Sequence, residues 1–272
     1  MMAMVISPRQ AFEDNIRPAE LLLRVFRLLE NDGLEKEGDL MKALRTAVGA
    51  AGDEQLLLIY NEVFLGLVRE RAQVPAAAFK RSALNNLLPQ AVVAACTGLD
   101  TYLPSLLRVN LPLMIAAKGR KFLPEDADLR EYFKELVFDL PETLRLLGDP
   151  EAPLFIANKI LSLTSFKYLS SKKGIHAVGC LLALEKPWKQ IGEKLHREQK
   201  ELMAILDETT RRRNDIVHRA DRPQADPGSD AQEICYAWAK QSVDTVTHVS
   251  LALDELVVAQ MAELKKGQVL AA

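Results

Sequence analysis

The chain has 272 residues, and hydrophobic side chains make up 49% of them, which suffices for the core of one large or two small domains. Aromatic residues contribute only 6%, and this composition favours helices over sheets. With 35 Lys and Arg against 37 Asp and Glu, the formal net charge of −2 excludes a broadly basic protein that coats nucleic acid, so any nucleic-acid contact has to be local.

Helical periodicity and helix-ending residues predict an all-α fold in which no segment requires a strand. Ser7 and Pro8 suit the cap and the first turn of a helix that ends near residues 31–33. A helix over residues 89–108 has Pro104 as a point of bending, residues 110–125 form a connection, and residues 222–228 form a turn-rich loop before a last long helix. The other predicted helices span residues 40–50, 53–73, 75–87, 126–138, 141–147, 153–163, 165–184 with a weak point at Gly174, 188–219 and 229–266.

One stretch of the chain is not explained by helix packing, and it begins at Arg213. The apolar stripe that precedes it continues through Arg213 to Ile216, so a guanidinium lies on the line that should face a core or a partner. Arg211 and Arg212 follow acidic residues at the four-residue spacing of surface ion pairs, whereas Thr209 stands at that position before Arg213. A buried guanidinium without a partner is too costly to keep, so we expect Arg213 to bind a partner or a ligand.

Asn214 and His218 are one helical turn apart, so the amide can hydrogen-bond the imidazole and select its tautomer. An imidazole titrates near neutral pH and suits acid–base work, and an arginine offers a planar fork of donors to phosphate oxygens. At about 100° per residue, however, Arg213 and His218 lie roughly 140° apart around a straight helix. They can act on one small ligand only if the helix distorts or a second chain completes the site.

The string of residues 212–222, in which Arg213 and Asn214 are followed by His218, resembles the Arg-x4-His signature of the HEPN superfamily (higher eukaryotes and prokaryotes nucleotide-binding domains). It is most similar to the branch named after ribonuclease L and associated stress proteins. Upstream segments at residues 87–90, 99–104 and 188–191 add to the resemblance, which covers residues 84–266. We therefore divide the chain into an N-terminal helical region, residues 1–83, and a HEPN-like helical domain, residues 84–272.

The resemblance implies a helical bundle that forms a homodimer with a composite active site, and a metal-independent endoribonuclease activity. His218 would take the proton from the ribose 2′-hydroxyl, Arg213 would stabilise the charge on the phosphorane-like transition state, and Asn214 would orient one of them. The product would carry a 2′,3′-cyclic phosphate, and DNA would be bound but not cut. Arg211, Arg212, Arg219 and Arg222 would bind RNA. The family also implies a toxin–antitoxin, stress or antiviral role, with an antitoxin or regulatory partner.

Two other interpretations of the same residues remain open. One is a catalytically silent HEPN-like module that binds a nucleotide or RNA. The other is a helical scaffold in which Arg213 pairs with a carboxylate from another helix and His218 caps the C-terminus of its own.

Other kinds of site have little support in the sequence. Cys96, Cys180 and Cys235 are widely spaced and the histidines show no metal-ligand spacing, so we expect reduced thiols, no metal and no cofactor. No secretory signal and no uninterrupted apolar run of membrane-spanning length is seen, which predicts a cytoplasmic protein that does not enter a membrane.

Overall fold

A computed structural model describes residues 6–30, 46, 56–60, 65–69, 86–122, 127–166, 169–219, 221 and 232–271. The described chain is a helical bundle, as predicted, with the addition of one short β-ribbon. The elements are α1 (Pro8–Glu30), β1 (Leu56–Tyr60), β2 (Leu65–Arg69), α2 (Leu87–Lys118), α3 (Ala127–Glu131), α4 (Leu140–Leu146), α5 (Ala152–Ser162), α6 (Lys172–Leu181), α7 (Pro187–Leu195), α8 (Gln199–Arg219) and α9 (Tyr236–Ala271), with single 3-10 turns at Gly119–Phe122 and Thr164–Phe166.

Helix α2 is the centre of the bundle, and α1, α5, α6, α8 and α9 all pack against it. It is 32 residues long and runs through both Pro104 and Pro112, so the connection predicted for residues 110–125 is wrong up to Lys118. An interior proline removes a helical hydrogen bond. Here Leu111 and Met114 are fully buried, and tertiary burial of this kind stabilises the turns that local propensity disfavours.

Helix α1 is part of the same core. The Ser7 hydroxyl caps it by accepting a hydrogen bond from the Gln10 N–H at 3.1 Å, as the sequence predicted. Phe12 packs against Tyr102 of α2 with ring centroids 5.1 Å apart. The first helix of the N-terminal region therefore shares a core with the helices beyond residue 84, while the boundary at residues 83 and 84 lies outside the described residues and stays a prediction.

The helix predicted for residues 53–73 is wrong in its described parts. Residues 56–60 and 65–69 form two antiparallel strands, with Leu56 opposite Arg69 and Tyr60 opposite Leu65. Short apolar runs fit a buried helix and a strand equally well, which is why periodicity misassigned this segment. The helices predicted for residues 40–50 and 75–87 lie outside the described residues, apart from Thr46, Asn86 and Leu87.

Four further predicted helices have different bounds in the structure. The segment from 188 to 219 is two helices, because His196 adopts a left-handed conformation (φ 52°) and ends α7. The helix predicted for residues 126–138 ends at Glu131, and that predicted for 165–184 begins at Lys172. The last helix begins at Tyr236 rather than Ser229, which lies outside the described residues. Helices α4 and α5 confirm the predictions for residues 141–147 and 153–163.

Candidate functional site

Helix α8 carries the signature and is anchored along its length by a buried face. Leu202 and Leu206 are fully buried, and the Thr209 hydroxyl donates to the Ser242 hydroxyl of α9 at 3.0 Å. The helix continues without a break to Arg219. The angular separation of roughly 140° between Arg213 and His218 therefore applies to the folded chain.

Arg213 lies on the buried line of α8, as predicted, and its charge is met by another helix. Its Nη2 donates to Asp100 Oδ2 of α2 at 2.9 Å and to the Ser170 hydroxyl at 3.1 Å. The Arg213 side chain keeps 20% of its surface exposed and that of Asp100 keeps 30%. The Arg213 Nε is buried and has no acceptor in the described part of the chain. The guanidinium thus retains an unsatisfied donor beside a neutralising carboxylate.

The position of Ser170 depends on a close approach between the loop before α6 and the first turn of that helix. Ser171 caps α6 by accepting from the Gly174 N–H at 3.1 Å. A Cβ at Gly174 would lie 1.9 Å from the Leu169 carbonyl oxygen, so only glycine allows the loop to fold back this tightly. This turn brings Ser170, which is 8% exposed, beside Arg213.

The Cys96 thiol lies one turn before Asp100 on α2 and is also next to Arg213. Burial raises the pKa of the Cys96 thiol to about 12, against the opposing effect of the Arg213 charge. The thiol therefore stays neutral near pH 7 and lacks the thiolate that a nucleophile or a metal ligand needs. Its role here is to pack beside the guanidinium.

Arg212 points to the opposite side of the site and stabilises the end of α8. Its Nε and Nη2 donate to the two carboxylate oxygens of Asp221 at 2.8 and 2.9 Å, and its guanidinium lies over the Trp238 ring. Asp221 is 5% exposed and left-handed (φ 60°), and its carbonyl accepts from the Gln232 N–H at 2.9 Å. The ion pair therefore ties residue 221 to α8, and the backbone hydrogen bond ties residue 232 to residue 221. The Nε and Nη2 donors of Arg212 are thus already engaged within the fold.

Asn214 and His218 are both exposed on α8. Among the described residues the Asn214 amide makes no hydrogen bond to the His218 ring, contrary to the expectation from their spacing. His218 lies in the last turn of the helix, where a positive charge is favoured by the helix dipole. The imidazole is thus exposed to a ligand or a second chain, and no hydrogen bond from the described residues orients it.

The remaining arginines of the cluster differ in their surroundings. Arg211 is exposed, and Arg219 Nη1 donates to Asp215 Oδ1 at 2.9 Å on the exposed side of α8. Arg222 lies outside the described residues. The surface pairs expected for Arg211 and Arg212 are wrong, because Asp207 pairs with Lys172 and Glu208 accepts from the Trp238 indole instead.

Asp100, Ser170 and Asp221 are the site residues that the sequence analysis did not single out. Asp100 left a signal, since it is the one acidic residue in the 32 residues of α2. A lone carboxylate on an otherwise apolar helix indicates a buried cation elsewhere in the fold. Ser170 and Asp221 are ordinary loop residues in the sequence, and only the tertiary contacts distinguish them.

Among the described residues no group of three or more His, Cys, Asp or Glu side chains is arranged to hold a metal ion. Within the same residues, none of the helices combines the length and the apolar character needed to cross a membrane.

The chain matches no protein-family model, no curated protein and no solved structure.

Proposed function

We propose that the protein is a metal-independent endoribonuclease that acts as a homodimer, with Arg213 and His218 as the catalytic residues and Asn214 in support. The observation that carries this proposal is the arrangement along α8. Arg213 forms an ion pair with Asp100, and its Nε has no acceptor in the described chain. His218 is exposed on another side of α8. Each chain thus offers two halves of a site that face in different directions, and a second copy would bring the halves together.

In the proposed reaction His218 takes the proton from the ribose 2′-hydroxyl, whose oxygen attacks the adjacent phosphorus. The bond from phosphorus to the 5′-oxygen breaks, and the leaving oxygen takes a proton from water while His218 returns its own to the solvent. One product then carries a 2′,3′-cyclic phosphate and the other a 5′-hydroxyl. An attacking group within the substrate gains from proximity and needs no activated water, so the chemistry can proceed without a metal. The Arg213 fork would stabilise the negative charge that develops on the phosphate oxygens.

Arg211, Arg219 and Arg222 are proposed to bind the RNA backbone beside the site. Arg212 is a weaker candidate than the sequence suggested, because Asp221 already occupies its Nε and Nη2. Because an unrestrained ribonuclease would damage its own cell, the proposal includes a toxin–antitoxin, stress or antiviral role with an antitoxin or regulatory partner. It also implies a cytoplasmic location, where RNA is accessible.

The test is cleavage of a mixed RNA pool in EDTA by the wild type, His218→Ala and His248→Ala, with analysis of the product ends. His248 is an exposed histidine on α9 and serves as the matched control. We expect the wild type and His248→Ala to produce cyclic phosphate ends and folded His218→Ala to produce none. Equal cutting by all three proteins would contradict the role of His218.

A mixing experiment tests the composite site. Arg213→Lys keeps the charge but loses the bidentate fork, so it should be inactive while remaining folded. If Arg213 of one copy works with His218 of the other, each mixed dimer of Arg213→Lys and His218→Ala contains one intact site. Random exchange in a two-fold dimer should then restore roughly a quarter of the wild-type activity. No restoration after confirmed subunit exchange would mean that each chain carries its own site.

Two observations favour a second candidate, a catalytically silent HEPN-like module that binds a nucleotide or RNA or acts as a scaffold. Arg213 pairs with Asp100 from another helix, as the scaffold interpretation of this residue predicted, and the Asn214–His218 hydrogen bond is absent from the described chain. Saturable RNA binding by a folded, dimeric wild type that cuts no RNA in the pool would support the module over the enzyme.

A further inference from the structure

A cleft of about 520 Å³ opens between α3, α6, α7 and α8, and Arg213 is not among the residues that line it. Its volume falls in the range of small-molecule sites, roughly 300–1,000 Å³. Lys172 and Lys173 of α6 both line it. The cleft plays no part in the proposed ribonuclease chemistry.

The walls of the cleft are mostly apolar and include aromatic rings. Leu129 and Ala177 are buried, and Trp188 is 5% exposed, with its indole N–H donating to the Lys172 carbonyl at 2.9 Å. Trp188 is nevertheless among the residues that line the cleft. Tyr132 adds a second ring, and Met203 adds a polarizable thioether that adapts to aromatic partners. Such walls suit a planar ring.

Among the described residues around the cleft, the ion pairs leave Lys173 without a carboxylate partner. Glu131 pairs with Lys134, and Lys172 pairs with Asp207 of α8. Lys173 is exposed, and no carboxylate of the described chain forms an ion pair with it. An anionic group on a ligand would therefore be attracted to the Lys173 side of the opening, where His176 also lies.

We propose that this cleft binds a planar aromatic anion, with its ring against Tyr132, Trp188 and Met203 and its charge on the Lys173 ammonium. The anionic group belongs to a nucleoside phosphate or to an aromatic carboxylate, which share the same recognition chemistry. The proposal is independent of RNA cleavage, because it concerns equilibrium binding at a separate cleft.

Trp188 provides a direct reporter, because the chain has only two tryptophans. In the Trp238→Phe variant the tryptophan fluorescence comes from Trp188 alone. This variant is titrated with adenosine 5′-monophosphate, benzoate and uncharged adenosine. Calorimetry on the unmutated chain is the second measurement. We expect saturable binding of one of the two anions. Lys173→Met should weaken that binding about tenfold or more, the value of one charge-assisted hydrogen bond, and Lys265→Met on the exposed end of α9 should not.

The outcomes separate the alternatives. Stronger binding of adenosine 5′-monophosphate identifies a nucleoside phosphate, and stronger binding of benzoate identifies an aromatic carboxylate. Adenosine bound as tightly as its phosphate, or an unchanged affinity in Lys173→Met, would overturn the role of charge. Binding lost in Arg213→Lys but kept in Lys173→Met would overturn the cleft as the site, and no saturable signal with either anion would overturn the proposal.

Discussion

Replacing Asp100 by Asn tests whether the partner of Arg213 is needed for stability. The substitution keeps the size of the side chain and an oxygen that can accept from Arg213 Nη2, but it removes the negative charge. The Arg213 guanidinium then stays largely buried without a negative partner. Its neighbours are the Ser170 hydroxyl and a neutral amide, and its Nε already lacks an acceptor in the described chain.

The exposed fractions set the size of the effect. Breaking a fully buried ion pair by removing one charge costs about 3–5 kcal/mol, while a fully exposed pair contributes about 0–1 kcal/mol. Arg213 and Asp100 keep 20% and 30% of their side-chain surface exposed, so solvent screens part of the charge. We therefore expect Asp100→Asn to lower the free energy of unfolding by about 2 kcal/mol.

The assay is urea unfolding at pH 7, with Asp244→Asn as the matched control. Asp244 pairs with Lys240 on the exposed side of α9, where the side chains keep 41% and 50% of their surface exposed, so its loss should cost under about 0.5 kcal/mol. Equal losses in the two variants would refute the argument that burial makes the Arg213–Asp100 pair important. At a temperature at which Asp100→Asn is still folded, RNA cleavage by that variant should also fall, because Asp100 orients Arg213.

Gly174→Ala should destabilise the protein by about 2 kcal/mol or more in thermal unfolding, because the new Cβ would overlap the Leu169 carbonyl; a stable variant would mean that the loop moves aside easily. Asp221→Ala should lower the free energy of urea unfolding by about 3 kcal/mol, because Arg212 loses its carboxylate partner and alanine is strained in the left-handed turn at residue 221. Asp221→Asn should lose less stability, because asparagine tolerates that turn; equal losses would contradict this. Burial in α9 raises the pKa of the Asp254 carboxyl above the value of about 4 that it has in the unfolded chain. The contribution of this carboxyl to the free energy of unfolding is therefore largest below the unfolded pKa and is lost as the pH rises through the folded pKa. Asp254→Asn should therefore gain stability relative to the wild type as the pH is raised, and a pH-independent difference in unfolding free energy would count against this. Val217 is exposed beside His218, so Val217→Glu should convert the proposed dimer to a monomer in sedimentation and abolish RNA cleavage. Val258 is similarly exposed on α9, and Val258→Glu should do neither. An intact dimer of Val217→Glu would place the interface elsewhere.

Local signals predicted those helices whose ends are determined by nearby residues. Ser7 caps α1, and Asp139 and Glu142 form a capping box at the start of α4. These interactions connect residues three apart, so they are the same in an isolated segment and in the folded protein. The stripe on α8 likewise predicted that Arg213 would lie on the buried side.

The structure departs from the helices that local signals predict at three places. Helix α2 passes two prolines because its last turns are buried, the 53–73 segment pairs as strands in its described parts, and α7 ends at His196 within a segment that reads as one helix. For α2 the outcome depends on side chains distant in sequence, which a single window of the chain does not contain. The strand pairing and the left-handed end of α7 are local, but apolar periodicity alone does not reveal them.

For the candidate site, the sequence by itself determined that Arg213 needs a partner, because an unpaired guanidinium on a buried helix face is too costly. It also determined, from the rotation per residue, that Arg213 and His218 face different directions. Only the tertiary structure decided that the partner is Asp100, 113 residues away, that Ser170 assists it, and that Arg212 is engaged by Asp221 rather than available to RNA. The physical reason is that a charge specifies the need for an opposite charge, while the packing of the helices decides which carboxylate comes within reach.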